Sequence, residues 1–463
     1  MSLCLTARAT DGSRTHDLTI TNRLLYQLSH GGTFEIISAE KMIGKDFMIN
    51  VAMISYHTCP LATLGGKDTG GMNVYVHQLT RTLGKLGVRV DVFTRSQDEH
   101  VPHVLHDLGY HNRVVHIPSG PEVPLPKAEL ERYIPKFVNG IQSFAELKNI
   151  KYDLIHSHYW MSGIAAIELS EIWNIPFINM FHTLGHMKNR IARSQNEVEG
   201  EYRIQGEKRV ISKATKIIAA TLAEKSQLEF LYNAPSSKIA VIPPGVDTRH
   251  FYPIPKDEAK EVVGIPDDSH LILYVGRIEP LKGIDNLIQA ISLIQKKGDL
   301  KCCPHNLVII GGEPNAKPEE MNAEMARLQD LVEDLDIENF VIFLGKQDQH
   351  MLPYYYSSAE VVVMPSHYES FGMVALEAMA CGTPVVASQV GGLAFLIRDG
   401  ETGFVVPGND IEGLSDRLID LIKDKNLRKK LGTKSTEYAQ LYSWEIISSK
   451  IVEVYNQVLN QVK

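Results

Sequence analysis

Two glutamates eight residues apart, Glu369 and Glu377, lie in the most informative segment of the sequence, EVVVMPSHYESFGMVALEAMACGTPVVASQVGG at 360–392. We predict that a helix begins near Gly372, so that its free N–H groups can bind phosphate oxygens. Because eight residues are close to two whole helical turns, Glu377 would lie further along this helix and could bind the paired hydroxyls of a ribose. Glutamates at this spacing are common by chance, so the interpretation depends on the strands predicted on either side.

Two basic residues, Arg277 and Lys282, follow a predicted buried strand in the segment VGRIEPLKG at 275–283. In a doubly wound sheet, the carboxyl ends of the strands open the crevice that binds ligands. Two cations at that edge can neutralise a pyrophosphate and stabilise it as a leaving group, a role that otherwise needs a metal ion. The alternative is a turn that carries two solvated basic residues.

A glycine-rich loop, GGKDTGGMNVY at 65–75, runs into a predicted helix. Glycines remove side chains, so that a ligand can approach the backbone N–H groups at the positive end of the helix. The spacing is not GxGxxG, which disfavours a dinucleotide site. A flexible surface loop is the alternative.

Strand patterns alternate with helix patterns along most of the chain. Twelve short apolar runs, most of them nearly continuous as in strands covered on both faces, are separated by amphipathic segments such as 74–87. This alternation predicts an α/β fold with two Rossmann-like, doubly wound parallel-sheet domains that face a cleft. A proline-rich segment at 243–255 marks the boundary. The predicted units are an extension outside the fold at 1–41, an N-terminal domain at 42–245, a C-terminal domain at 246–440, and a C-terminal helix at 441–463 that packs back on the N-terminal domain.

Composition and charge exclude several classes of protein. The longest apolar runs, about ten residues, are too short to span a membrane. Five cysteines without CxxC spacing argue against disulfides and zinc, and favour a reducing cytoplasm. Residues 42–245 carry 22 basic and 19 acidic side chains, and residues 246–463 carry 21 and 32. This mildly basic first half suits an anionic small molecule, or a weak contact with anionic lipid, but not a nucleic acid.

Histidines at 156, 158, 182 and 186 could suggest a metal site, but no HExxH motif and no carboxylate-rich second shell accompany them. We assign no metal ligands.

The N-terminal 41 residues contain no apolar signal-peptide core, and we expect the fold to start after Met42 or Met48.

The segments ESFGMVALE and GRIEPLKG together resemble the E-x7-E and Arg…Lys donor motifs of glycosyltransferase family 4, whose members are retaining enzymes with the GT-B fold. The resemblance extends over residues 48–463. It implies that Glu369 contacts the donor sugar, that Glu377 contacts the ribose, and that Arg277 and Lys282 hold the diphosphate. It also implies donor contacts by His182, near the C6 hydroxyl of the sugar, and by backbone groups at Gly70, Gly71, Phe371, Gly372, Met373 and Val374.

The first half is similar to the inositol-phosphate N-acetylglucosaminyltransferases of mycothiol synthesis and, more distantly, to sucrose-phosphate synthases. The segments GGMNVYV, HSHYW (156–160) and HTLGHMKN (182–189) carry this likeness. It implies that Asn73 holds acceptor hydroxyls. It further implies that an acceptor phosphate is surrounded by Lys127, Tyr159, Thr183 and Arg203.

The resemblance therefore implies a metal-independent, retaining hexosyltransferase that uses a nucleotide diphosphate sugar, favoured as UDP-linked, and a phosphorylated polyol or sugar as acceptor. We expect the reaction to require no cofactor. The alternatives are the same chemistry on a lipid or polysaccharide acceptor at a membrane surface, a nucleotide-sugar epimerase or phosphorylase, and a non-catalytic nucleotide-sugar sensor. We leave open a homodimer and a weak peripheral contact with a membrane.

Overall fold

The computed structural model describes residues 49–62, 70–192, 198–298, 300, 304–317 and 321–462. The predicted extension at 1–41 lies outside these residues, as do both expected start positions and residues 65–69 of the glycine-rich loop. Within the described part of the chain, no helix is long and apolar enough to cross a membrane.

The first sheet contains eight strands: β1 (Ile49–Ile54), β2 (Val88–Arg95), β3 (Val104–Leu105), β4 (Arg113–Ile117), β5 (Leu154–His158), β6 (Phe177–Met180), β7 (Lys216–Ala219) and β8 (Ile239–Val241). Their order is β3-β4-β2-β1-β5-β6-β7-β8, and only β3 pairs antiparallel. The short strands β3 and β4 were not predicted from the sequence. The run RVVHI of β4 begins with a charged residue and contains a histidine, so its apolar stretch is short.

Helices cover both faces of this first sheet, as expected for strands buried on both sides. They are α1 (Gly71–Lys85), α2 (Lys127–Leu130), α3 (Ile134–Leu147), α4 (Trp160–Trp173), α5 (Gly185–Ile191), α6 (Glu201–Lys213) and α7 (Leu222–Tyr232).

The second sheet contains six parallel strands: β9 (His270–Val275), β10 (His305–Ile310), β11 (Val341–Gly345), β12 (Val361–Met364), β13 (Val385–Ser388) and β14 (Gly403–Val406). Their order, β11-β10-β9-β12-β13-β14, makes β9 and β12 direct neighbours. The loops that follow these two strands therefore meet at one edge of the sheet. The helices of this part of the chain are α8 (Lys256–Val263), α9 (Ile284–Lys297), α10 (Ala323–Asp334), α11 (Leu352–Ser358), α12 (Met373–Ala380), α13 (Leu393–Leu396), α14 (Ile411–Lys423), α15 (Lys425–Ala439) and α16 (Trp444–Val462).

The two sheets confirm the predicted fold class, with two Rossmann-like parallel-sheet domains. The chain passes between them twice, and the two passages lie side by side. The Val246 N–H donates to the Tyr442 carbonyl at 2.8 Å, and the Trp444 N–H donates to the Val246 carbonyl at 3.3 Å. The last helix, α16, then packs against α1, and the Tyr455 hydroxyl lies 2.8 Å from Nδ1 of His156 in β5.

Candidate active site

The loop after β9 and the loop after β12 are packed directly against each other. The His367 N–H donates to the Leu281 carbonyl at 2.9 Å. Gly283 has φ of 62°, and a Cβ on it would lie 2.2 Å from the Pro365 carbonyl oxygen. Only glycine allows so close an approach of the two backbones. As a result, Lys282 Nζ lies 2.5 Å from Glu369 Oε2, in an ion pair whose side chains are 15% and 16% exposed.

Two glycines beyond the E-x7-E segment hold Glu369 in place. The Gly392 N–H donates to the Glu369 carbonyl at 2.8 Å. A Cβ on Gly391, whose φ is 46°, would lie 2.0 Å from the same carbonyl oxygen. These glycines were in the quoted segment, but no role was assigned to them from the sequence. The signal was the Gly-Gly pair directly after β13, a place where a backbone approaches another backbone closely.

Helix α12 begins at Met373, and Gly372 before it has φ of 104°. The predicted helix start is therefore correct, and the first residue of α12 lies beside the end of the glycine-rich loop. A Cβ on Gly71 would lie 3.3 Å from the Met373 sulfur, and a Cβ on Gly70 would lie 3.9 Å from Cδ and Nε of Arg277. The structure thus brings the start of α1 in the first domain to the predicted donor residues of the second.

Glu377 is buried in α12 at 8% exposure, and the Tyr356 hydroxyl of α11 donates to its Oε2 at 2.8 Å. Burial raises the pKa of the Glu377 carboxyl to about 7, because the charged form loses its hydration. The nearby Phe371 is also buried and lies 6.0 Å, ring centre to ring centre, from Tyr442. Arg277 pairs with Glu279 at 2.8 Å on the same loop as Lys282.

Two buried histidine rings, those of His156 and His158, lie against the half-buried ring of His182. His158 Nδ1 lies 3.0 Å from His182 Nε2, and the rings of His156 and His158 are 4.3 Å apart. Burial lowers the pKa of His182 to about 3, so its imidazole is neutral near pH 7. His182 also has φ of 62°, a strained conformation for a non-glycine residue. Among the described residues, no group of three or more His, Cys, Asp or Glu side chains is arranged to hold a metal ion.

Three of the four residues predicted to surround an acceptor phosphate are in direct contact. Arg203 is 1% exposed, and its NH2 group donates to the Thr183 hydroxyl at 3.1 Å and to the Thr183 carbonyl at 3.0 Å. Its guanidinium carbon lies 5.1 Å from the centre of the Tyr159 ring. Lys127, the fourth residue, begins α2 and lies close enough to Glu199 for its charge to help lower the pKa of that carboxyl.

Glu207 fixes the position of Arg203 and was not predicted from the sequence. It is fully buried one helical turn after Arg203 in α6, and it accepts the Arg203 Nε–H at 2.9 Å. It also accepts the Gly185 N–H at 3.0 Å and a hydrogen bond from the Tyr232 hydroxyl. The i,i+4 spacing of an arginine and a glutamate was the available signal, but this spacing is common on exposed helix faces.

The side-chain amide of Asn73 is engaged within the protein. Its Nδ2 donates to the Thr58 hydroxyl at 2.6 Å and to the Cys59 carbonyl at 2.7 Å. Its Oδ1 accepts the Gly70 N–H at 3.0 Å. In this structure Asn73 therefore ties the loop after β1 to the start of α1, and its contact with acceptor hydroxyls stays a prediction.

Tyr368 lies near both the predicted donor residues and the residues around Arg203. It is 6% exposed in the loop after β12, and burial together with the charges of Glu224 and Glu369 raises its pKa. Arg203 of the first domain acts on the same hydroxyl in the opposite direction. The charges of Glu369 and of Arg203 therefore both act on the Tyr368 hydroxyl, so the Lys282–Glu369 pair and the Arg203 group are near the same tyrosine.

Comparison with known proteins identifies the family. The family model Glycosyltransferase Family 4 matches residues 69–250, and the model Glycosyl transferases group 1 matches residues 255–438. The fold and the matched domains define a glycosyltransferase of the GT-B class.

More specific relatives cover almost the same part of the chain. The D-inositol 3-phosphate glycosyltransferase of Paenarthrobacter aurescens (strain TC1) is 37% identical over 415 residues, which are 89% of this chain and 98% of the relative. The protein of the same name from Arthrobacter sp. (strain FB24) is 38% identical over 416 residues, covering 89% and 96%. The chain belongs to glycosyltransferase family 4 and is a hexosyltransferase.

Solved structures show the same fold over the same length. Sucrose-phosphate synthase from Thermosynechococcus elongatus is similar with a TM-score of 0.81 and 34% identity, covering 89% of this chain and all of that one. The Anabaena protein HepE, in complex with UDP and glucose, shares the fold with a TM-score of 0.68 at 20% identity, covering 88% of this chain and 100% of its own.

Proposed function

We propose that this enzyme transfers a hexosyl group, with retention of anomeric configuration, from a UDP-linked sugar to a hydroxyl of a phosphorylated polyol or sugar. The observation that carries the proposal is the buried Arg203, held beside Thr183 and Tyr159 and near Tyr368, a residue that also senses the charge of Glu369. The names of the D-inositol 3-phosphate glycosyltransferases, which are 37% and 38% identical to this chain, support a phosphorylated polyol.

On the donor side, Arg277, Lys282 and the first N–H groups of α12 hold the diphosphate. Lys282 contacts Glu369, and α12 begins four residues after Glu369, which suits two linked phosphates near a sugar. Glu369 and Glu377 accept hydrogen bonds from the hydroxyls of the donor sugar and the ribose. Because the arginine, the lysine and the helix start supply the positive charge, the leaving group needs no divalent ion.

The reaction follows from this placement. The bond between the anomeric carbon and the diphosphate oxygen breaks, and its electron pair leaves with the diphosphate. The acceptor hydroxyl attacks the same face of the sugar, and its proton passes to the departing diphosphate. Neutral His182 donates or accepts a hydrogen bond at the sugar, since its low pKa excludes a role as a cation. Front-face attack is proposed because none of the motif carboxylates has an evident role as a covalent nucleophile.

A panel of donors and acceptors tests the proposal. UDP-, ADP- and GDP-sugars are incubated with myo-inositol phosphate, fructose 6-phosphate and their unphosphorylated forms, with and without EDTA. The expected result is transfer from a UDP-sugar to a phosphorylated acceptor, undiminished by EDTA, with the donor's anomeric configuration in the product by NMR. Transfer only to lipid or polysaccharide, epimerised donor without acceptor, or inversion would each contradict the proposal.

A further inference from the structure

The predicted acceptor-phosphate cage, which we define as Lys127, Tyr159, Thr183 and Arg203, contains a carboxylate of the chain itself. Glu199 Oε1 lies 2.7 Å from Arg203 NH1 and 2.7 Å from Lys188 Nζ. Lys127 lies close enough to act on the same carboxylate. One oxygen of Glu199 is thus shared by two cations.

The two carboxylates that contact Arg203 differ in how firmly they are held. Glu207 is fully buried and accepts hydrogen bonds from Gly185 and Tyr232 as well as from Arg203. The Glu199 side chain is 20% exposed, and its Oε1 accepts from the cationic side chains of Arg203 and Lys188. Glu207 is therefore the permanent partner of Arg203, and Glu199 is the partner that can be exchanged.

The backbone of Glu199 does not need to move for such an exchange. Its N–H donates to Asn189 Oδ1 at 2.6 Å, and Asn189 Nδ2 donates to its carbonyl at 3.1 Å. Asn189 and Lys188 are adjacent residues of α5, so one helix holds both the backbone of Glu199 and one of its cations. A rotation of the Glu199 side chain toward solvent would empty the cage and leave its walls in place.

We propose that Glu199 stands in for the acceptor's phosphate in the empty enzyme and is displaced by that phosphate when the acceptor binds. The inference rests on the proposed function, because it requires a phosphorylated acceptor. Lys127, Lys188 and Arg203 carry three positive charges, and with Glu199 and Glu207 present one net positive charge remains. Withdrawal of Glu199 leaves two, which match a phosphate dianion.

This exchange makes Glu199 a residue that determines specificity. A carboxylate and a phosphate both offer oxygens that can accept hydrogen bonds from an arginine, so each can replace the other without moving Arg203. A neutral polyol offers no anion and leaves the carboxylate in the cage. The surrounding cations lower the pKa of Glu199 against the effect of burial, so it competes in its charged form near neutral pH.

The test compares Glu199→Gln with the wild-type enzyme and with Glu201→Gln, a matched control that removes the same charge from an exposed residue at the start of α6. Binding of inorganic phosphate is measured by isothermal titration calorimetry at fixed ionic strength. We expect Glu199→Gln to bind phosphate about tenfold more tightly than wild type, since a competing charged hydrogen bond is removed. The control should bind as wild type does. Glu199→Asp, whose shorter carboxylate cannot reach both cations equally well, should bind with intermediate affinity and serves if the glutamine variant does not fold.

The outcomes separate the inference from the proposed function. Equal or weaker phosphate binding by Glu199→Gln overturns the exchange and leaves a phosphate site in place. Phosphate binding by none of the variants, together with transfer to an unphosphorylated acceptor, overturns the phosphorylated acceptor itself. Tighter binding by both Glu199→Gln and Glu201→Gln would show that the loss of any nearby negative charge is enough. That result would also overturn the exchange.

Discussion

The charge state of Glu377 should report directly on donor binding. Burial raises its pKa to about 7 in the empty protein, so near neutral pH the carboxyl is partly protonated. Ribose hydroxyls donate hydrogen bonds most strongly to a carboxylate, so a nucleotide that they anchor should bind the ionised form. Donor binding below this pKa should therefore release a proton from Glu377, and affinity should rise with pH.

The magnitude follows from the pKa. With a pKa of about 7, Glu377 is roughly 90% protonated at pH 6 and roughly 10% protonated at pH 8. If only the ionised form binds, the affinity at pH 6 is about tenfold lower than at pH 8, or about 1.4 kcal/mol.

The same raised pKa stabilises the folded protein at low pH. That contribution is complete below the unfolded value near 4.5 and is lost as the pH rises through about 7.

The assay is calorimetric titration with UDP-glucose between pH 5.5 and 8.5, in buffers of different ionisation enthalpy that reveal proton release. The diphosphate of UDP-glucose is esterified at both ends, so it lacks the phosphate ionisation near pH 6. Glu377→Gln keeps the shape of the neutral carboxyl and should remove both the proton release and the pH dependence. Glu224→Gln is the matched control, because Glu224 is also buried, with a pKa raised by burial to about 7, but in the first domain.

Two results would refute this reasoning. A flat affinity profile for wild type would mean that donor binding does not depend on an ionised Glu377. A pH dependence that survives in Glu377→Gln and disappears in Glu224→Gln would show that Glu224 in the first domain titrates on donor binding, and that Glu377 does not.

Two further predictions concern the donor loops. Lys282→Ala should lower turnover on the order of 100-fold or more, because a preorganised charge at the leaving group is removed, with thermal unfolding used to show that the fold persists; near-wild-type turnover would contradict the role. Gly391→Ala, whose Cβ would lie 2.0 Å from the Glu369 carbonyl, should displace Glu369 and lower donor affinity and turnover. Gly400→Ala has a similar φ of 72° with no atom within 4 Å, and as the matched control it should cost stability but not activity; equal loss of activity in both variants would reject a specific effect on Glu369.

The apolar patterns in the sequence were sufficient to predict most strands and the last helix. The twelve apolar runs each correspond to a strand, because burial on both faces leaves a continuous apolar signal. The C-terminal helix was predicted within 441–463, and the structure has it from Trp444 to Val462. The strands β3 and β4 were missed, since β3 has only two residues, both half-buried, and β4 carries an arginine and a histidine in a run of five.

The sequence by itself determined the fold class, the start of α12 near Gly372 and the motif residues Arg277, Lys282, Glu369 and Glu377. Local patterns were enough here, because a strand, a turn with glycine and a helix start are written in neighbouring residues. The roles of these residues came from resemblance to a family, and they stay predictions.

Only the tertiary structure decided which side chains meet. Lys282 and Glu369 are 87 residues apart and pair because β9 and β12 are neighbours in the sheet. Whether Glu199 lies in the predicted acceptor-phosphate cage depends on α5 and α6 packing side by side. The raised pKa of Glu377 depends on its burial beneath Tyr356. Contacts between distant segments and loss of hydration are properties of the packed chain, and no local pattern of residues encodes them.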